Sequence, residues 1–156
     1  MHRLAAPPAV RAEHEVLHRA LAEAIEAGGD TGTAAAHLAR IVHRHFLMEE
    51  RYALPPLALL PQLAKGAIPT GADEAQRLVD ALINELPGML VEHRKIDVAI
   101  GKLVAAASRE NQPRCLELCR ALQAHAREEE EVLYPAAVLV GKYLKLAARR
   151  GAVGAR

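Results

Sequence analysis

The chain has few aromatic side chains, no tryptophan and only two cysteines. Because 3% of its 156 residues are aromatic and 51% are hydrophobic, a core must consist of aliphatic side chains and alanine, as the close packing of helices allows. This length suits one domain with a substantial core. Cys115 and Cys119 are four residues apart, a spacing that favours no disulfide within a helix. We expect both thiols to be reduced and half-buried.

The chain also lacks an excess of either charge and any long apolar run. It carries 20 basic and 19 acidic residues, whereas a nucleic-acid-binding surface usually shows a clear basic excess. No apolar run reaches the roughly 18 residues of a membrane span, and the first residues do not resemble a secretory signal. We therefore expect a cytoplasmic protein that binds neither nucleic acid nor a membrane.

Histidine is the residue type that stands out, with eight copies, and two segments repeat one histidine pattern. The segments are HFLMEERYALP at 45–55 and HAREEEEVLYP at 125–135. In each, a glutamate follows the histidine by four residues, a second glutamate comes next, and a proline closes the segment. Four residues are about 400° on a helix. His45 and Glu49 therefore share one face, as do His125 and Glu129, and each pair can hold one metal ion.

A weak internal repeat extends this pattern over the whole chain. EHEVLHRAL at 13–21 resembles EHRKIDVAI at 92–100, so that His14 precedes His45 by 31 residues and His93 precedes His125 by 32. Each half then reads as a helical hairpin with one histidine on its first helix and His-x-x-x-Glu on its second. In an up-down-up-down arrangement with short loops, these side chains lie at one level of the bundle.

The apolar spacing predicts an all-α fold, an up-down-up-down four-helix bundle with a C-terminal helical extension. We expect one domain over 1–156, with a bundle core at about 9–137 and an apolar connection at 54–87. A helical pattern resumes within this connection at Ala72 and is kinked or restarted at Pro87-Gly88. The fourth helix should present Val132 inward, and Pro135 should kink or end it. A C-terminal helix and tail cover 136–156.

Buried carboxylates are the main reason to expect a metal. An unpaired carboxylate in an aliphatic core is costly, and few basic side chains face inward beside Glu49 and Glu129. No thiolate lies at this level, which argues against a structural zinc site of the cysteine type. Two carboxylates able to bridge, with imidazoles from four helices, suit a pair of first-row ions such as iron or manganese. Such a ligand set leaves coordination positions open for water, oxygen or another small ligand.

These motifs resemble those of the hemerythrin-like, or HHE cation-binding, family over about residues 9–137. The resemblance implies a four-helix bundle with two iron ions joined by an oxo or hydroxo bridge and by Glu49 and Glu129; manganese and zinc are alternative metals. It further implies His14, His45, His93 and His125 as terminal ligands. Its implied roles are sensing of oxygen, nitric oxide or redox state, and iron handling, with a diatomic ligand. The resemblance favours a non-enzymatic role, although redox activity towards peroxide or nitric oxide is compatible with it. A homodimer is also compatible with the sequence.

The chain departs from the oxygen-carrying members of that family at Asp97, where those members have a second histidine. Three roles stay open for this carboxylate: a metal ligand, an acceptor that orients a ligand histidine, or a partner for His18. The change puts reversible oxygen carriage in doubt. We expect Tyr52, one turn beyond Glu49, to tune the site. Glu50 and Glu130 are expected to be outward-facing charges, with Glu130 retained as a candidate ligand or neighbour of one.

Two other hypotheses compete with the hemerythrin-like interpretation. A ferritin-like oxidase needs two Glu-x-x-His motifs on different helices, and the chain has only EVLH at 15–18. A metal-free helical interaction module would use the apolar segments 54–68 and 136–148 as partner surfaces. The metal content of the purified protein separates this module from a metal-binding protein.

Overall fold

A computed structural model describes residues 3–154, in which every regular element is helical. This confirms the all-α prediction. Within that range no helix is long and apolar enough to cross a membrane. The α-helices are α1 Pro8–Glu26, α2 Gly29–Met48, α3 Leu60–Leu63, α4 Ala72–Arg109, α5 Pro113–Glu128 and α6 Tyr134–Gly154.

Two short loops define two hairpins, α1 with α2 and α4 with α5. Gly28 and Gly29 have φ of 69° and 60°, a left-handed conformation that glycine adopts without steric cost and that makes the first loop tight. Glu110, in the second loop, accepts hydrogen bonds from the backbone N–H groups of Asp30 and Thr31 at 2.8 and 2.9 Å, and from the Thr31 hydroxyl. The carboxylate therefore caps the start of α2 and joins the two loops.

The two hairpins pack side by side. α1 contacts α2, α2 contacts α4, α4 contacts α5 and α5 contacts α1, while α6 lies against α4. The core between α1, α2, α4 and α5 is aliphatic, apart from one phenylalanine, Phe46. Cys115 and Cys119 belong to this core as free, buried thiols. Because the contacts close a ring, one side chain stripe from each of the four helices faces a common interior.

The connection predicted at 54–87 contains a short 3₁₀ helix, Pro55–Leu59, then α3, and finally the first turns of α4. α4 does not restart at Pro87, which lies inside the helix. Proline removes one backbone hydrogen bond, the one to the Ile83 carbonyl. Residues 83–85, 87 and 88 are exposed, so water can bind that carbonyl and the helix continues at modest cost.

Two π-helical segments, Glu49–Ala53 and Glu129–Leu133, extend α2 and α5 at equivalent positions of the repeat. In each, one further residue and then a proline follow, Pro55 and Pro135. The wider turn changes which side chains face inward, because its hydrogen bonds join residues five apart. The expectation that Val132 faces inward is therefore wrong: this side chain is 54% exposed, whereas Tyr134 is buried.

Candidate metal centre

Six of the predicted site residues meet in the interior, and none is more than 6% exposed. They form two groups of four, His14, Glu49, His125 and Glu129, and His45, Glu49, His93 and Glu129. Within each group, one ligand atom from every residue lies within 4.8 Å of the others. Both glutamates belong to both groups, so the two sets of side chains surround two adjacent positions.

The helices place these side chains from four directions. α1 supplies His14, α2 supplies His45, α4 supplies His93 and α5 supplies His125, while each glutamate opens a π-helical segment. π-helical turns often occur at functional sites. Here each one sets a carboxylate into the interior at the end of an α-helix.

The first group is built around the Glu129 carboxylate. The Glu129 Oε1 atom lies 2.7 Å from His125 Nε2 and 3.7 Å from His14 Nε2. His14 Nε2 is also 3.6 Å from Glu49 Oε2. The two imidazoles thus point the same type of nitrogen at both carboxylates.

The second group has the same plan. His45 Nε2 lies 3.2 Å from Glu49 Oε1, and His93 Nε2 lies 3.2 Å from Glu129 Oε2. The two Nε2 atoms are 2.8 Å apart. All four histidines therefore direct Nε2 to the centre, as ligands of two neighbouring ions would.

Four outer carboxylates lie beside the other nitrogen of the four rings, one at each ring. The Nδ1 atoms of His14, His45, His93 and His125 lie 2.7, 2.9, 2.7 and 3.0 Å from Glu50, Glu92, Glu130 and Glu13. A carboxylate at Nδ1 keeps the proton there, so that the neutral ring presents a lone pair at Nε2. The imidazoles of His14, His45 and His93 are hydrogen-bonded in this way, whereas His125 Nδ1 has no hydrogen-bond partner although Glu13 is near.

Two of these carboxylates were expected to be outward-facing charges, and two were missed. Glu50 and Glu130 are 33% and 42% exposed, yet each also contacts a histidine. Glu13 and Glu92 stand immediately before His14 and His93, so the repeated Glu-His dipeptide was the signal that could have identified them. The dipeptide did not reveal the pairing, because each of these glutamates contacts a histidine of the other hairpin.

Several buried nitrogen and oxygen atoms of the centre lack a hydrogen-bond partner. A cation bound among these atoms would supply the missing contacts. His14 Nε2, Glu49 Oε2, both ring nitrogens of His125 and both carboxylate oxygens of Glu129 have no hydrogen-bond partner. His45 Nε2 and His93 Nε2 face each other although both Nδ1 atoms are held by carboxylates, a pairing that needs an added proton or a cation. Unpaired buried acceptors are costly. Metal ions with bonds of about 2.0–2.2 Å would satisfy these atoms, so the residues could hold metal.

Tyr134 is a further residue of the site that the sequence did not predict. Its buried hydroxyl donates a hydrogen bond to Glu49 Oε1 and lies 3.2 Å from His93 Nε2. On a regular α-helix a residue five positions after Glu129 would point about 140° away. The π-helical segment removes this offset. Tyr52, the tyrosine expected to tune the site, belongs to neither group and packs with Leu54 and Leu57 in an apolar cluster that also contains Tyr134.

Phe46 distinguishes the first group from the second. Its ring stacks on the His14 ring, with centroids 3.8 Å apart and planes at 6°, and meets the His125 ring edge-on at 5.3 Å. The second group has Tyr134 beside it instead. One position of the centre therefore lies next to an apolar ring and the other next to a hydroxyl group.

Burial and neighbouring charges shift the pKa values of the histidines, glutamates and tyrosine of the centre in different directions. Burial lowers the pKa values of His45 and His125, but contacts with Glu49 and Glu129 outweigh it and raise both to about 9. Burial and then the charge of Glu129 raise the pKa of Glu49. Burial opposes ionisation of Glu129 too, yet three imidazoles lower its pKa well below the ordinary value. Burial, followed by the glutamate charges, raises the pKa of Tyr134, so the phenol keeps its proton.

Asp97 and His18 lie outside both groups. Asp97 is exposed and accepts a hydrogen bond from Gln123 Nε2 at 3.1 Å. His18 is half-buried, with its ring 5.3 Å from that of His43. Asp97 lines a cleft of about 370 Å³ between α4 and α5, which His93 also lines. The carboxylate at 97 is thus near the route from solvent to His93.

The fold and this site define an all-α protein with a buried histidine and glutamate cluster suited to metal ions. No protein-family model matches the chain, and no curated protein or solved structure matches it.

Proposed function

We propose that the chain is a metal-binding protein of the hemerythrin-like type, a four-helix bundle that holds two iron ions. The observation that carries this proposal is the sharing of Glu49 and Glu129 by two otherwise separate sets of buried ligands. A carboxylate with one oxygen turned to each set can bridge two ions. The repeat supports the proposal, because both hairpins supply the same residue types at the same positions.

The donor set suits iron or manganese, and we propose iron because the motifs resemble those of the hemerythrin-like family. Each position receives imidazole nitrogens and carboxylate oxygens without a thiolate, and histidine and carboxylate ligands suit iron and manganese. Structural zinc sites commonly use cysteine thiolates, and neither group contains one. An iron pair supplies redox chemistry and binding of small ligands at open coordination positions.

A role in sensing or redox chemistry fits the surroundings of the centre. Tyr134 retains its proton, donates it to Glu49 and stands beside His93, so a phenol hydroxyl lies at the second position. The cleft between α4 and α5 brings solvent close to the same histidine. We propose that oxygen, nitric oxide or a peroxide reaches the centre on this side and changes the state of the metals. Iron handling is a second role that the same site supports.

Metal analysis of the purified protein tests the proposal. Protein produced in iron-rich medium should contain about two iron ions per chain. The double variant His45→Ala with His125→Ala removes one ligand from each group and should empty the centre. His37→Ala is the matched control, since His37 is an exposed histidine on the same helix as His45. A single structural zinc, or no metal in the unchanged protein, contradicts the proposal.

An optical spectrum tests the role of the centre separately from its existence. The reduced, iron-loaded protein should change its visible spectrum on exposure to oxygen or nitric oxide. An iron-loaded protein with a spectrum that neither gas alters would exclude sensing of these ligands and leave iron handling as the function.

A further inference from the structure

Two histidines outside the buried centre lie side by side at the surface of the first hairpin. His18 belongs to α1 and is half-buried, and His43 belongs to α2 and is exposed. Their ring centroids are 5.3 Å apart, with an angle of 60° between the ring planes. Neither residue belongs to the two groups of buried ligands. The pair is therefore a separate cluster of side chains that can bind metal.

The separation of the two rings is close to that of two imidazoles on one metal ion. With a metal–nitrogen bond of about 2.0–2.1 Å, the centre of a bound ring lies about 3.2 Å from the ion, and two such rings are about 4.5 Å apart at 90° and about 5.2 Å apart at 109°. Inside the protein, the rings of His14 and His125 are 5.1 Å apart and those of His45 and His93 are 4.6 Å apart. The surface pair thus has nearly the spacing of the buried histidine pairs.

The equivalent positions of the second hairpin also face each other. Asp97 is the counterpart of His18, four residues after the first ligand histidine of its hairpin, and Gln123 is the counterpart of His43, two residues before the second. Gln123 Nε2 donates a hydrogen bond of 3.1 Å to Asp97 Oδ1. Both hairpins therefore bring these two positions together across the groove between their helices. An amide and a carboxylate satisfy each other directly, whereas two neutral imidazoles can each direct a lone pair at one cation.

The surface pair differs from the buried ligands in its surroundings. Each buried ligand histidine has a carboxylate beside Nδ1, and carboxylates in this position strengthen metal binding. Within residues 3–154, no carboxylate lies within ion-pair distance of His18 or His43. The two rings supply only two bonds to an ion, and water must supply the others. An ion at this pair is therefore held weakly and exchanges with solvent.

The pair also lies close to the buried centre. His18 is one helical turn from His14, about 6 Å along α1 at 1.5 Å per residue. The His18 ring meets the Phe46 ring edge-on at 5.2 Å, and Phe46 stacks on His14. The six buried ligands are at most 6% exposed, so an ion from solvent must contact the surface before it reaches them. The pair offers such a contact on the hairpin that supplies His14.

We propose that His18 and His43 form a surface metal site that binds one divalent first-row transition ion reversibly and supplies it to the buried centre. Imidazole ligands suit these ions, and affinity rises from manganese and iron to nickel and copper. Iron(II) is accordingly held more loosely here than nickel(II), which makes nickel the better probe of binding. The supply of iron to the centre rests on the proposed function, whereas the binding of an ion at the pair does not.

Titration calorimetry with nickel(II) tests the binding. Protein whose centre is already filled with iron should bind one nickel ion, and the double variant His18→Asp with His43→Gln should lose this binding. The variant gives the first hairpin the two residues that the second hairpin has at the equivalent positions, so a direct hydrogen bond can replace the ion. Unchanged circular dichroism would show that the variant folds. Undiminished nickel binding in the variant overturns the surface site.

Two single variants test whether other histidines bind the nickel. His37→Ala removes an exposed histidine elsewhere on α2, and His2→Ala removes the histidine beside the N-terminal amine. Both should leave the nickel binding unchanged, and its loss in either variant overturns the assignment to the pair. In the His45→Ala with His125→Ala protein, the change of His18 and His43 should again remove one bound nickel ion. Failure of the surface site and failure of the iron centre are therefore distinguishable.

The rate of iron uptake tests the supply to the centre. Chelated protein mixed with iron(II) without oxygen should fill its centre severalfold more slowly in the His18→Asp with His43→Gln variant, with the same final iron content as the unchanged protein. His37→Ala is the control and should fill at the normal rate. Equal rates in all three proteins overturn the supply of iron through the pair. A lower final iron content in the double variant overturns the separation of the pair from the centre.

Discussion

At the scale of single residues, the outer carboxylates are the feature that sets this centre apart from a set of buried histidines. Glu92 and Glu130 hold His45 and His93 at Nδ1. Carboxylates in this position raise the basicity of a ligand histidine, and their loss costs about 10- to 100-fold in metal affinity. Glu92→Gln should therefore release iron faster to a chelator while the fold is retained. Glu131→Gln, an exposed neighbour without a histidine contact, is the control, and equal release rates would show that Glu92 does not support the site.

Tyr134 permits a second test at this scale. Tyr134→Phe removes the hydroxyl that hydrogen-bonds Glu49 and leaves that buried carboxylate oxygen with one donor fewer. Loss of one partner from a buried hydrogen bond costs about 1–3 kcal/mol, so chelated Tyr134→Phe should unfold at lower urea concentration than the unchanged protein. Tyr52→Phe changes a tyrosine outside both ligand groups and should leave the midpoint nearly unchanged. Similar midpoints for the two variants would argue against the Glu49 contact.

At the scale of elements, the sequence predicts the helices and the buried histidine and glutamate faces, because both depend on spacing of about 3.6 residues. The four histidines and two glutamates were found in this way. Phe46 and Tyr134 were not, for different reasons. Phe46 is one residue from His45 and stacks on the His14 ring of α1, a contact that only packing determines. The inward position of Tyr134 depends on a π-helical turn, and residue preferences do not predict such a turn. Pro55 and Pro135, at equivalent positions, indicate only that the α-helix is interrupted.

The two hairpin loops joined by Glu110 lie at the end of the helices away from the candidate metal centre. Their contribution to the stability of the protein can be tested. Glu110 caps α2 through Asp30 and Thr31, and these hydrogen bonds lower its pKa. Because the folded-state pKa lies below the unfolded one, the stabilisation is present above the unfolded value and is lost as pH falls through the folded value. Glu110→Ala should lower the Tm at pH 7, and the deficit should shrink in acid. Glu117→Ala, an exposed glutamate on α5, should leave Tm unchanged; equal effects would remove Glu110 as a cap.

At the scale of the whole molecule, two halves of one repeat each supply half of the ligands to both groups. His14 and His125 come from different hairpins, as do His45 and His93, so neither hairpin holds a complete group alone. Metal binding would therefore stabilise the association of the hairpins, and its free energy would add to that of folding. We expect the iron-loaded protein to melt at a higher temperature than chelated protein. Equal Tm values would show that the hairpins associate independently of metal.

The pH dependence of this difference follows from the histidine pKa values. His45 and His125 have folded pKa values of about 9 in the absence of metal, above the unfolded value of about 6.5. Their protonation therefore stabilises chelated protein fully below about pH 6.5, and this contribution is lost as pH rises through about 9. Metal binding requires neutral imidazole and strengthens over the same interval. The Tm difference between iron-loaded and chelated protein should accordingly widen from pH 6.5 to pH 9. In the double variant His45→Ala with His125→Ala the chelated protein should lose most of this pH dependence. A Tm difference that narrows with pH would show that these histidines are not protonated partners of Glu49 and Glu129.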